Sequence, residues 1–137
     1  MKLTIEQDNQ SEIASFLSQK IIAFNHQHWQ ITDKQPLALT YRDDQNTIIA
    51  GVSGVTFGNW LHLERLWVDE PYRKHGLGAK LLQQIEQQAK QLGCTQVLVD
   101  TLEFQAKPFY LKYGYNVEFE QHNYPLTGKR TYLTKAL

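Results

Sequence analysis

Arg73-Lys74-His75-Gly76-Leu77-Gly78-Ala79-Lys80 sets cationic side chains and two glycines directly ahead of a run in which Leu81, Leu82, Ile85, Ala89 and Leu92 recur at helical spacing. The chemistry this suits is the holding of a pyrophosphate. Glycines let backbone approach a ligand closely, successive N–H groups form a concave nest, and a helix N-terminus adds partial positive charge. Arg73, Lys74 and Lys80 add side-chain charge. An ordinary loop entering a helix has a similar composition, so further motifs must decide. The Walker loop is absent, since no Gly is followed after four residues by Gly-Lys and Ser or Thr. The dinucleotide fingerprint fits poorly: its third small residue falls on Leu81, and seven residues separate Val68 from Gly76. Asp100, about 20 residues onward at a strand end, keeps that reading as a lesser alternative.

The segment feeding this turn, Trp60 to Val68, reads as a strand whose apolar residues change phase, from Leu61 and Leu63 to Leu66 and Val68. A period-2 strand cannot change its buried face without an extra residue, so the slip predicts a β-bulge near Glu64 and Arg65, with backbone N–H groups left unpaired. A central strand covered on both faces would give the same pattern.

The elements around these segments follow from periodicity and turn chemistry. Leu3 and Ile5 alternate as a short first strand, and Asn9 with Glu12 resembles a capping box opening a helix through Ile13, Phe16, Leu17, Ile21 and Phe24. Pro36 restarts the chain in an extended state. Leu37–Arg42, Thr47–Phe57 and Trp60–Val68, joined at Asp43–Asn46 and Gly58-Asn59, predict an antiparallel meander. A helix over Leu77–Leu92 stopped by Gly93, a strand over Thr95–Asp100, a helix over Gln105–Tyr113 stopped by Gly114, and strands over Asn116–Gln121 and Lys129–Lys135 complete the order β-α-β-β-β-α-β-α-β-β. That order is mixed α/β, a central mostly antiparallel sheet with flanking helices.

At 137 residues the chain is expected to be one domain, 1–137. Fourteen basic and fourteen acidic residues cancel, so no bulk field attracts nucleic acid. No apolar stretch approaches the roughly 20 residues of a membrane span, and the polar-apolar alternation at the N-terminus does not read as a signal peptide, so a cytoplasmic protein without a membrane partner is expected. Cys94 is the single cysteine and reads as a small buried thiol. His26 and His28 would diverge on a helix, so no metal site is expected. Gln83, Gln84, Gln87, Gln88 and Gln91 read as the solvent face of their helix.

Arg73-Lys74-His75-Gly76-Leu77-Gly78, after a hydrophobic strand, resembles the acetyl-CoA pyrophosphate signature of the GNAT family of N-acetyltransferases. Pro108-Phe109-Tyr110-Leu111-Lys112-Tyr113-Gly114-Tyr115 is similar to that family's Phe-Tyr-x-x-x-Gly-Phe/Tyr segment. Both motifs occur in the family's order, between Trp60 and about Gln121. The resemblance implies a splayed sheet of acyl-CoA N-acyltransferase type. It implies that acetyl-CoA, the cosubstrate, lies in the opening and pairs with backbone near Leu66, Trp67 and Val68. Its pyrophosphate would sit on Arg73, Lys74, His75, Gly76, Leu77, Gly78 and Ala79, and Tyr110 would protonate or hydrogen-bond the departing sulfur. Tyr110 also reads as a packing aromatic. Where family members often carry Asn, three residues before Ala106, this chain has Glu103, with Gln105 a candidate replacement.

A protonated amine must lose a proton before it attacks, and Glu64, at the bulge on a strand where the family often has a catalytic carboxylate, is the first candidate base, with His62 second. The expected activity is direct acetyl transfer from acetyl-CoA to a primary amine, a small molecule or a peptide amine, without metal and without a nucleic-acid partner. Glu64, Glu103, Glu118 and Glu120 are expected to border the cleft and to favour a small cationic acceptor. Residues 25–35 and 118–128 are expected to build its pocket, and the resemblance makes a homodimer plausible. An acyl-CoA-binding regulatory module without efficient catalysis is the alternative, and a nucleotide-binding protein a lesser one.

Overall fold

The computed structural model of the chain describes residues 1–31 and 33–137. They fall into two compact units, Met1–Asp33 and Lys34–Leu137. The first holds helix α1, Glu12–Asn25. Its start differs from the expected capping box. Ser11 occupies the N-cap with φ 58° and offers no side-chain cap, while the Asp8 carboxylate accepts from the N–H groups of Ile13 (3.0 Å) and Ala14 (2.8 Å). Those N–H groups, Ala14 first, hold the Asp8 carboxyl below the usual carboxylate range. The short strand expected at Leu3 and Ile5 does not form. Both side chains are exposed, and among the described residues no strand pairs with them, so the alternation has no ladder to join.

The second unit is a six-stranded sheet in the order β1-β2-β3-β4-β6-β5. Strands β1 (Gln35–Arg42), β2 (Ile48–Phe57) and β3 (Trp60–Val68) form the predicted antiparallel meander. A short 3-10 turn at Glu70–Tyr72, which periodicity did not predict, is started by Pro71 and by Asp69, whose carboxylate accepts from Glu70 N–H. Helix α2 (Leu77–Gln91) carries the chain back so that β4 (Gln96–Leu102) pairs parallel to β3. After helix α3 (Lys107–Lys112), strands β5 (Asn116–His122) and β6 (Lys129–Ala136) close the sheet, with β6 inserted antiparallel between β4 and β5. Strand β4 runs past Asp100 to Leu102 because β6 continues the ladder there, Leu102 opposite Arg130.

The core lies between α2 and the sheet. Leu82, Ile85 and Ala89 are fully buried against Leu61, Val97 and Leu133, as the helical spacing of the first set and the alternation of the second require. Burying an aliphatic side chain of this size stabilises by about 1.5–3 kcal/mol. Cys94 is buried, donates to the Gly58 carbonyl at 3.7 Å, and has its thiol pKa pushed up by burial. Among the described residues no helix is long and apolar enough to cross a membrane.

Candidate active site

The phase slip in β3 is a bulge. Ser53 lies opposite Arg65 and Gly54 opposite Leu63, so Glu64 has no partner on β2. A Cβ on Gly54 would stand 2.5 Å from the His62 carbonyl oxygen, so only glycine lets β2 come this close at the bulge. The same point ends the ladder on the other side. The pairing of β3 with β4 runs from Trp60–Gln96 to Leu63–Val99 and stops, whereas β4 stays paired with β6 through Leu102. Alternate residues of an antiparallel strand direct their N–H and C=O groups to opposite sides. Past Leu63, those that turn away from β2 therefore face a gap instead of a strand.

Two connected hollows fill that gap. The inner one, about 320 Å³, is lined by Glu64, Arg65 and Leu66 of β3, Val99, Asp100 and Thr101 of β4, and Gln105, Ala106 and Tyr110. The outer one, about 590 Å³, shares Leu66, Gln105 and Ala106 and continues past Trp67, Val68, Arg73, Gly78 and Phe109. The predicted Glu64, Leu66, Trp67, Val68, Arg73, Gly78 and Tyr110 thus share one cleft, while Lys74, His75, Gly76, Leu77 and Ala79 form the turn and helix start at its outer end.

That turn is held by backbone geometry. Lys74 (φ 66°) and Gly76 (φ 77°) adopt left-handed conformations that swing the chain into α2. Gly76 is the N-cap and no side chain caps the helix, so its first N–H groups have no partner within it. Arg73 donates Nε–H to the Val68 carbonyl at 2.9 Å. This ties the guanidinium to the end of β3 and leaves its terminal nitrogens for an anion. A Cβ on Gly78 would stand 3.8 Å from Phe109 and Val68, an ordinary contact, so the glycine keeps the cleft wall low instead of avoiding a clash.

At the inner end Tyr110 is buried, packed between the rings of Phe109 and Tyr115, each with its centroid 5.3 Å away. Burial, and then the charge of Asp100, push its pKa up to about 12. Glu64 pairs with Arg65 at 2.9 Å. The segment before α3 is shaped by side chains: Gln105 Oε1 accepts from Leu102 N–H at 2.9 Å, and Thr101 Oγ1 accepts from Ala106 N–H at 3.1 Å. These bonds hold 102–106 in a turn and delay the helix from the expected Gln105 to Lys107.

Three of the four glutamates expected at the cleft are elsewhere. Glu120 binds Lys107 (2.8 Å) and Lys129 (3.3 Å), Lys107 first among the groups that hold its carboxyl below the usual range. Glu118 accepts from the Thr134 hydroxyl. Glu103 lies against the 124–129 loop, 3.2 Å from where a Cβ on Gly128 would stand. Strand alternation and the β5–β6 turn direct these side chains away, and Gln105, not Glu103, lines the cleft. Asp100, which the sequence offers only to a dinucleotide reading, lines the inner hollow beside Tyr110. Its position near the end of β4, where the sheet parts, places it there. His62 stands beside it, Nε2 to Oδ1 4.0 Å. Of the 25–35 connection, position 32 lies outside the described residues.

Residues 4–115 match the model of the acetyltransferase (GNAT) family. The chain is 31% identical over 105 residues to acetyltransferase Atu2258 of Agrobacterium fabrum, covering 77% of each protein. It is 35% identical over 83 residues to blasticidin-S acetyltransferase of Streptomyces morookaense, covering 60% of this chain and 61% of that one. A crystal structure of an acetyltransferase from Bacillus cereus superimposes with a TM-score of 0.90 at 29% identity, over 100% of this chain and 99% of that one. With a sheet that parts at a bulge and a glycine turn leading into α2 at the mouth of the gap, the chain belongs to the GNAT family and is an N-acetyltransferase.

Proposed function

We propose that the protein transfers the acetyl group of acetyl-CoA directly to a primary amine, a small cationic amine by preference, within a ternary complex. The observation that carries this reading is the parting of β3 from β4 after Leu63, with Glu64 and Tyr110 lining one hollow. The residues fit acetyl-CoA: a low wall at Gly78, uncapped N–H groups at the start of α2 for the pyrophosphate, Arg73 beside them, and backbone around Leu66, Trp67 and Val68 for the pantetheine. Acetyl-CoA supplies a thioester already activated for attack.

The amine enters as an ammonium, gives one proton to Glu64, and attacks as the free base. A backbone N–H of the unpaired β3 segment steadies the carbonyl oxygen as charge develops. The N–C bond forms and the C–S bond breaks. The sulfur takes the Tyr110 hydroxyl proton, and the second proton lost by nitrogen restores that hydroxyl. The Streptomyces relative is a blasticidin-S acetyltransferase, which is in keeping with a small-molecule amine here.

The test has two steps. Coenzyme A should raise the melting temperature where NAD and ATP do not, because a ligand that binds only the folded state stabilises it. A panel of primary amines should then give acetyl-CoA-dependent thiol release. Stabilisation by coenzyme A without thiol release from any amine would replace this reading with a regulatory CoA-binding module.

A further inference from the structure

We propose that Asp100 selects the acceptor, holding its ammonium group on the β4 wall of the cleft. The proposal rests on the acetyltransferase reading and names a specificity residue within that site.

Among the described residues, the other half-buried or buried carboxylates all have partners. Asp8 accepts from the N–H groups of Ile13 and Ala14, Asp43 from those of Gln45 and Thr47, and Asp69 from that of Glu70. Glu86 holds the Tyr115 hydroxyl and Lys135, each at 2.8 Å, and Glu120 holds two lysines. Asp100 departs from this pattern. Its side chain is 34% exposed, and among the described residues its carboxylate accepts no hydrogen bond and has no Lys or Arg within 4 Å. Its one charged neighbour is His62, at 4.0 Å, which is a cation only when protonated and is itself half exposed. Partly withdrawing a carboxylate from water without a partner is costly, and the cost is repaid when a cation arrives.

The position of Asp100 makes that cation the acceptor. Asp100 lines the inner hollow with Glu64 and Tyr110, so an ammonium on Asp100 sits in the hollow of the proposed base and acid. Glu64 is less suited to recognition, since Arg65 already neutralises it. The remaining charged group facing the hollow is Arg65, which is drawn to Glu64. A neutral amine of equal size would gain none of this.

The experiment compares n-butylamine, a cation at neutral pH, with methoxyamine, which is weakly basic and uncharged there, using wild type, Asp100→Asn and Asp100→Glu. A hydrogen bond to a charged group contributes roughly 1.5–3 kcal/mol, about ten- to a hundredfold in affinity. Asp100→Asn should raise KM for n-butylamine by about tenfold or more, change kcat less, leave KM for methoxyamine within about twofold, and leave coenzyme A affinity unchanged. Asp100→Glu should recover part of the preference. Tetramethylammonium, which cannot be acetylated, should compete with n-butylamine and not with acetyl-CoA in wild type and Asp100→Glu, and compete more weakly in Asp100→Asn, which ties the ammonium site to Asp100. Equal KM increases for both amines in Asp100→Asn, or no competition by tetramethylammonium, overturn the role of Asp100 while leaving the acetyltransferase reading intact. Absence of thiol release from every amine overturns both.

Discussion

At the residue scale, Tyr110 and Glu64 pose opposite demands on pH. With its pKa raised to about 12, first by burial and then by Asp100, the Tyr110 hydroxyl keeps its proton throughout the usual assay range, and its ionisation should impose no alkaline fall in rate below that value. Tyr110→Phe removes only the hydroxyl and leaves the ring between Phe109 and Tyr115. We expect kcat to fall by about ten- to a hundredfold with coenzyme A affinity within about twofold, since a thiolate is already a fair leaving group. Steady-state kinetics with saturating substrates decides, and an unchanged kcat under rate-limiting chemistry would return Tyr110 to packing alone. Glu64→Gln should cost most at neutral pH, where an alkylamine of pKa near 10.4 is almost wholly protonated, and recover part of the rate in alkali. A rate ratio flat from neutral to alkaline pH would remove the base assignment.

At the element scale, the bulge and the helix start depend on glycines for different reasons. Gly54 sits where β2 meets the bulged strand, and its absent Cβ would stand 2.5 Å from the His62 backbone carbonyl oxygen. Gly54→Ala should therefore destabilise by roughly 1–3 kcal/mol, the usual cost of overpacking, visible as a lower melting temperature. Gly78 has room for a Cβ, and the outer hollow it lines would lose space to the added methyls of valine. Gly78→Val should keep the fold and weaken coenzyme A by about tenfold or more, the scale of one lost charged hydrogen bond. Calorimetric titration of the folded variant measures it, and unchanged affinity would remove the pyrophosphate from this helix start.

At the scale of the sheet and its helices, the Glu86–Tyr115–Lys135 cluster ties α2 to the connection between α3 and β5 and to β6. Burial, then the Glu86 charge, raise the Tyr115 pKa well above the usual phenol value, and Tyr110 is raised as well. In the unfolded chain both phenols ionise near 10. Above that pH the unfolded state binds fewer protons than the folded one, so stability present below pH 10 must fall as pH rises toward the folded values. Urea midpoints should drop as pH rises above about 10, and Tyr115→Phe should flatten the fall, because its contribution to the proton difference is gone. A midpoint in Tyr115→Phe that falls as steeply as in wild type would place the alkaline sensitivity elsewhere.

Much of this arrangement was legible in the order of residues. Period-2 and period-3.6 patterns are local, so the meander, α2, β4 and the closing strands were read from spacing, and the phase slip at Glu64 located the bulge because a register shift must change the buried face. Gly76 and Gly78 at the start of α2 and the Phe109-Tyr110 pair carry the family resemblance, and the same residues line the cleft or its mouth. Which carboxylates face that cleft was not local information. Glu103, Glu118 and Glu120 were sited by strand proximity, but the β6 insertion between β4 and β5 and the lysines at 107 and 129 direct them elsewhere. Asp100 enters the cleft because β3 stops pairing one residue earlier along β4, at Val99. The parting of two strands depends on neighbours far apart in sequence, and only the assembled sheet decides which side chains it exposes.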